Sequence, residues 1–111
     1  MLTVVPYERF DAWKRCHELA LSVYQVTKLF PPDERYGLRA RARRAAVSAP
    51  ANIAEGASER GRREFARHLD IALGSLGELT YVLELSRDIG LIEFDDWERL
   101  DEMRERASIV T

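Results

Sequence analysis

Arg43-Arg44-Ala45-Ala46-Val47-Ser48-Ala49-Pro50-Ala51-Asn52-Ile53-Ala54-Glu55-Gly56 decides how this chain folds. The run is alanine-rich and carries no charge from Ala45 to Ala54. Small side chains let helices approach closely, so the stretch reads as the thin central helix of a packed bundle. Working backwards, Leu38, Ala42, Ala45, Ala49 and Ile53 fall on one face at spacings of three and four, which predicts a helix from about residue 34 to 55. Pro50 removes one backbone hydrogen bond and crowds the carbonyl four residues earlier, so a kink or break is expected between Ala46 and Pro50. Gly56 suits the left-handed residue just past a helix end.

Upstream, Phe30-Pro31-Pro32-Asp33 separates this helix from an earlier one, expected over about 8–29. In that first helix, Phe10, Trp13, Ala20 and Tyr24 form one apolar row, and Ala12, Leu19, Val23, Val26 and Phe30 form a second. Together they cover about half the circumference, wider than the ~100° stripe of an ordinary surface helix. Such a helix has more to bury than one neighbour can cover.

Downstream, a long helix is expected over about 62–89, stopped by Gly90. Phe65, Leu69, Ala72, Leu76, Leu79 and Leu83 make its core row. Ile71, Gly74, Val82, Leu85 and Ile89 make a second row with Glu78 in its middle, and that row also needs a partner, for which another subunit is the expectation. The last helix, about 95–107, opens with Asp95 as cap and Glu98 in the position of a capping-box acid. Trp97, Leu100, Met103 and Ala107 supply its buried side. Strand alternation and repeats are missing. Four helices joined by short connections predict an all-α, up-down-up-down antiparallel four-helix bundle.

The 111 residues are 46% hydrophobic and 32% charged, the balance of a folded soluble domain. The net charge of −2 conceals an asymmetry. Asp33 to His68 holds nine arginines against five acids, whereas Leu69 to the end holds eleven acids against four arginines. The basic middle is either a patch for an anionic partner or one half of intramolecular and intersubunit ion pairing. No uncharged segment approaches the roughly 20 residues of a membrane span, and Met1 to Phe10 lacks the apolar run of a secretory signal. The expectation is a cytoplasmic protein.

Ser48-Ala49-Pro50-Ala51-Asn52-Ile53-Ala54-Glu55-Gly56 resembles the S-I-P-x-N-I-A-E-G signature of a bacterial four-helix-bundle family, first noticed as reading frames in intervening sequences of 23S ribosomal RNA genes. Asp11-Ala12-Trp13-Lys14 is similar to the family's D-L-x-V-W-x-K opening, one hydrophobic position shorter. Phe30-Pro31, Glu34, Tyr36-Gly37-Leu38 and Arg43-Arg44-Ala45 resemble its F-P-x-x-E-x-Y-G-L and R-R-A-A-V-S elements. Gly74-Ser75-Leu76 with Glu78-Leu79 resembles its G-S-L-x-E-L. Ala49 departs from the usual isoleucine, which should thin local packing. The resemblance implies a ring-shaped homopentamer and no settled function. Relatives in diversity-generating retroelements are accessory proteins that bind reverse transcriptase and nucleic acid through a basic surface, so the resemblance leaves RNA, DNA and a reverse transcriptase as candidate partners.

The candidate anion-binding residues are Arg35, Arg39, Arg43, Arg44, Arg60, Arg62, Arg63 and Arg67, because the planar guanidinium fork matches phosphate. Little aromatic interleaving accompanies them, which argues against base stacking along single strands. The bland alternative is salt bridging to Asp33, Glu55, Glu59, Glu64 or a neighbour's acidic helix. Ser48, Asn52 and Glu55, with Arg41 and Arg44, lie along one flank of the second helix. They read as a hydrogen-bonded network fixing helix register or a subunit contact, with Glu78 as an ionic partner. With Ile71, Val82 and Ile89 they complete the candidate interface.

Catalysis has little support. A di-iron bundle needs two Glu-x-x-His motifs and further carboxylates, which this chain lacks. Cys16 is the sole cysteine and points away from His17, and both His17 and His68 read as surface or interface residues. No metal or cofactor is expected, and the favoured reading is a non-enzymatic, oligomeric interaction or scaffold protein.

Overall fold

A computed structural model describes residues 6–58 and 61–111. Four helices account for most of them: α1 Asp11–Thr27, α2 Leu38–Ser58, α3 Arg62–Asp88 and α4 Phe94–Val110. Each helix packs on its chain neighbours and α1 closes the bundle against α4, while the diagonal pairs bring no α-carbons within 8 Å among the described residues. The directions alternate. Arg43 near the start of α2 bonds Thr27 at the end of α1. Arg87 at the end of α3 lies over Trp97 at the start of α4, and Thr111 beyond α4 meets Cys16 in the first turns of α1. This is the up-down-up-down bundle the sequence predicts, drawn out to 52 × 24 × 18 Å.

The core follows the helical rows. Leu19, Val23, Ile53, Leu76, Leu79, Leu83 and Leu100 are fully buried, with Ala42, Ala45, Ala46 and Ala49 as the thin wall of α2 between them. Truncating any of the buried leucines to alanine costs about 2–5 kcal/mol on general experience. The broad apolar half of α1 is largely satisfied within the subunit. Phe10 meets Phe65 across 5.6 Å, Trp13 lies between Tyr7 and His17, Ala20 is buried, and Tyr24 lies under the Arg43 guanidinium. That row therefore does not require another subunit, and Ala12, Leu19, Val23, Val26 and Phe30 of the other row are buried in the core.

Several boundaries differ from the sequence reading for local reasons. The chain enters α1 through a 3₁₀ turn at Tyr7–Arg9, and extended Phe10 delays the helix to Asp11. A second 3₁₀ turn at Pro32–Glu34 delays α2 to Leu38, whose amide donates to the Glu34 carboxylate at 3.1 Å. Glu34 is thus the acceptor that starts α2, not its first helical residue. Pro50 does not break the helix, which continues to Ser58.

Gly56 is no helix terminator either. It lies inside α2 and is buried, and a β-carbon there would stand 2.7 Å from His68 Cβ and 3.0 Å from Phe65 Cδ1. It is glycine so that α2 and α3 can touch. Gly90 does end α3, with φ of 84°. Leu91 N–H reaches Ser86 O and Gly90 N–H reaches Arg87 O, the paired bonds of a Schellman ending. The expected cap of α4 is absent: Glu93 occupies the cap position with no side-chain bond. Asp95 and Asp96 instead stand in the first turn, where negative charge favours the helix dipole. α4 runs on past the expected end near residue 107 to Val110, where Ala107 is buried and accepts bonds from the Thr111 amide and hydroxyl.

Candidate functional site

The polar flank of α2 becomes a seam with α3. Asn52 Nδ2 donates to Ser48 O at 2.9 Å and approaches Ser48 Oγ at 3.2 Å. Ser75 Oγ donates to Ser48 Oγ at 2.7 Å. With its nitrogen committed to Ser48, Asn52 offers Oδ1 to His68 Nδ1 at 3.1 Å, so the His68 proton belongs on Nδ1. His68 Nε2 is then the acceptor for Arg67 Nη2 at 3.4 Å, and Arg67 Nε donates to Glu64 at 3.2 Å.

His68, read from the sequence as a surface or interface residue, is buried within the subunit. Its place in the same row as Ala72 and Leu76 was the available signal. Ser75, the other unanticipated member, stands inside the Gly74-Ser75-Leu76 motif. Glu78 pairs with Arg41 at 3.6 Å, both about half exposed, so the pair contributes little stability. Glu55 is exposed, and its side chain enters none of the described bonds.

The outward strip of α3 divides. Val82 is 2% exposed and belongs to the subunit's own core, which removes it from the candidate interface. Ile71 and Ile89 remain exposed, as does Tyr81, which the apolar rows had omitted. Gly74 lies on this strip with open space where a β-carbon would be.

The arginines that cluster in sequence separate in space. Arg35, Arg39, Arg43 and Arg44 lie in or just before the first turns of α2. Arg62, Arg63 and Arg67 lie in the first turns of α3. Because these helices are antiparallel and Asn52 lies level with His68, the two groups stand toward opposite ends of the pair, from roughly 13 Å (Arg44 to Arg67) to roughly 27 Å (Arg39 to Arg62) apart along the axis at ~1.5 Å per residue. Arg60 lies outside the described residues. Arg43 is tied to α1: Nε donates to Thr27 Oγ1 at 2.9 Å, Nη2 to Tyr24 O at 3.4 Å, and its guanidinium carbon lies 4.4 Å from the Tyr24 ring centre. Arg39 Nη2 reaches Phe30 O at 3.4 Å. Arg35, Arg44, Arg62 and Arg63 make no ion pair among the described residues. In α4, by contrast, Arg99, Arg104 and Arg106 each pair with a carboxylate one turn earlier. The basic segment is thus less neutralised within the subunit than the acidic one.

No cluster of three metal-ligating side chains occurs among the described residues. Cys16 is fully buried, its thiol pushed up by that burial against the opposing contact with Thr111. A buried thiol with a raised pKa is a poor nucleophile. His17 stacks on Trp13 instead of facing Cys16. None of the described helices is long and apolar enough to cross a membrane.

A protein of unknown function from the S23 ribosomal protein family of Bacteroides thetaiotaomicron, known from its crystal structure, has the same fold. The TM-score is 0.81 at 23% identity, covering 88% of this chain and 92% of that one. Comparison with curated proteins found no match. The family model for 23S rRNA-intervening sequence proteins matches residues 8–110, spanning all four helices, the Ser48–Gly56 signature and the seam it forms with α3. The chain belongs to the 23S rRNA-intervening sequence protein family.

Proposed function

We propose that this protein is a non-enzymatic interaction or scaffold protein that works as a homo-oligomer, with the outward strip of α3 as its subunit contact. The observation that carries this reading is Ile71, Tyr81 and Ile89 exposed along one helix that also holds Gly74. A glycine inside a helix costs about 1 kcal/mol relative to alanine. Nothing among the described residues approaches Gly74 closely enough to require it. A neighbouring helix packed on this strip accounts for both features, because it covers the apolar residues and uses the close approach that glycine permits. A closed ring satisfies every such contact, and five subunits is the number the family resemblance suggests. We place its work in the cytoplasm. Native mass spectrometry of the purified chain tests the assembly directly. A single multiple of the 12.8 kDa subunit supports it, and five is the multiple expected.

A second reading is favoured by the arginines that pair with no carboxylate among the described residues. A basic surface that binds RNA or DNA, alongside a reverse transcriptase, suits Arg35, Arg39, Arg44, Arg62 and Arg63. Binding that falls steeply with salt and is lost on Arg→Glu replacement at unchanged oligomer mass supports it.

A further inference from the structure

The turn between α1 and α2 opens onto a concavity of about 550 Å³ lined by Pro32, Arg35, Tyr36, Arg39, Ala40 and Arg43. Three guanidinium groups line it and no acidic side chain does. None of the three makes an ion pair among the described residues. The preceding turn holds two acids, Asp33 and Glu34; neither lines the cleft, and Glu34 has its carboxylate engaged with the Leu38 amide. The protein acceptors that Arg39 and Arg43 do find are neutral: the carbonyls of Phe30 and Tyr24 and the hydroxyl of Thr27. These bonds orient the guanidinium groups without cancelling their charge. Arg39 Nε is buried with no acceptor at all, a deficit that an anion in the cleft would offset electrostatically. Arg39 and Arg43 are also one helical turn apart, where like charges repel.

Tyr36 stands on the same rim. It is 85% exposed, so its ring makes almost no use of the subunit's own apolar surface. The Arg35 guanidinium lies 5.5 Å from that ring's centre. The cleft therefore combines positive charge, with Arg43 oriented by α1 and Arg39 by the Phe30 carbonyl, with an uncovered aromatic face. A phosphate satisfies the first through paired N–H···O bonds, and a flat base attached to it satisfies the second by stacking.

We propose that this cleft binds a nucleotide, its phosphate held by Arg35, Arg39 and Arg43 and its base on Tyr36. The source is either a free mononucleotide or one nucleotide of a single strand. The assignment goes beyond the assembly reading, and sharpens the nucleic-acid reading by naming one end of the bundle, away from Arg62 and Arg63.

The test is calorimetric titration of the full chain at low salt with AMP, adenosine, inorganic phosphate, a twelve-nucleotide single-stranded RNA and a DNA duplex. AMP should bind and adenosine should not. Binding should weaken about tenfold in Arg35→Ala and in Tyr36→Ala, two exposed positions whose loss leaves the core intact. It should not change when Arg62 and Arg63 are both replaced by glutamate. Absence of AMP binding overturns the assignment. So does AMP binding that Arg35→Ala leaves unchanged, or that the Arg62/Arg63 replacement weakens equally. Inorganic phosphate binding as tightly as AMP overturns the role of Tyr36. RNA that displaces AMP identifies a strand as the source, whereas AMP binding with no displacement identifies the free nucleotide. Failure of RNA and duplex alone defeats the broad nucleic-acid reading and leaves the cleft standing.

Discussion

His68 Nδ1 stands 3.1 Å from Asn52 Oδ1, joining the buried side of α3 to the signature helix α2. The bond depends on Gly56, one helical turn beyond Asn52, where the absence of a side chain lets the His68 β-carbon approach the backbone of α2. Asn52 also binds Ser48, which binds Ser75, so the two helices are held in one register by a short polar chain. Removing one partner from a buried bond leaves the other unsatisfied. Asn52→Ala should therefore destabilise the subunit by about 1–3 kcal/mol. Urea unfolding followed by circular dichroism checks this; an unchanged midpoint would show that the seam does not hold the helices.

The two kinds of helical glycine predict opposite effects. Gly56→Ala should cost about 1–3 kcal/mol, because its methyl group has no room beside His68. Gly77 also meets open space but lies about 120° around α3 from Ile71 and Ile89, away from the proposed contact, and should tolerate alanine with a gain of about 0.5–1 kcal/mol. Thermal melts of the two variants decide it, and destabilisation by both would remove the distinction.

The arginines divide in the same way. Arg43→Ala should cost about 1–2 kcal/mol, since Thr27, the Tyr24 carbonyl and the Tyr24 ring all lose a partner. Arg62→Ala, at an exposed position, should change stability by less than about 0.5 kcal/mol. Equal losses in chemical denaturation would contradict the assignment of Arg43 to the helix junction.

Cys16 supplies a pH dependence. Burial holds its pKa above the ordinary value of 9.0 that the thiol has when exposed. Unfolding therefore releases a proton at alkaline pH, so the thiol's contribution is complete below about pH 9 and declines as pH rises further. Stability should fall less steeply above pH 9 in Cys16→Ala than in the native chain. An aromatic disulfide reagent at pH 8 should label Cys16 slowly in the folded protein and rapidly in denaturant. Fast labelling of the folded protein would contradict the burial.

The four helices were legible because their apolar rows are long and regular. Leu76, Leu79 and Leu83 are core at the spacing that placed them there. What escaped the sequence was decided between helices. Gly56 looks like a terminator in one dimension and proves to be a contact in three. Val82 is buried on a flank of α3 beside exposed Ile71 and Ile89, which no single-helix wheel reveals. Arg35 to Arg67 form one basic block in the chain, yet the antiparallel turn carries half of it to the far end of the bundle. Ser48 and Asn52 were recognisable as a network, but His68 and Ser75 entered it only once α3 was in register. The extended turn at Pro31 to Gly37 was hidden by the helix-favouring residues after it; Glu34 capping Leu38 explains the late start of α2.

The central claim is that the outward strip of α3 joins subunits, and sedimentation velocity of the native chain beside Ile71→Glu/Ile89→Glu tests it most directly. Both side chains are exposed in the subunit, so the double variant should remain folded by circular dichroism. The account predicts a native species several times the 12.8 kDa subunit mass and a variant that sediments as the single subunit. A native chain that stays at 12.8 kDa across micromolar concentrations, or a variant with undiminished mass, would contradict it.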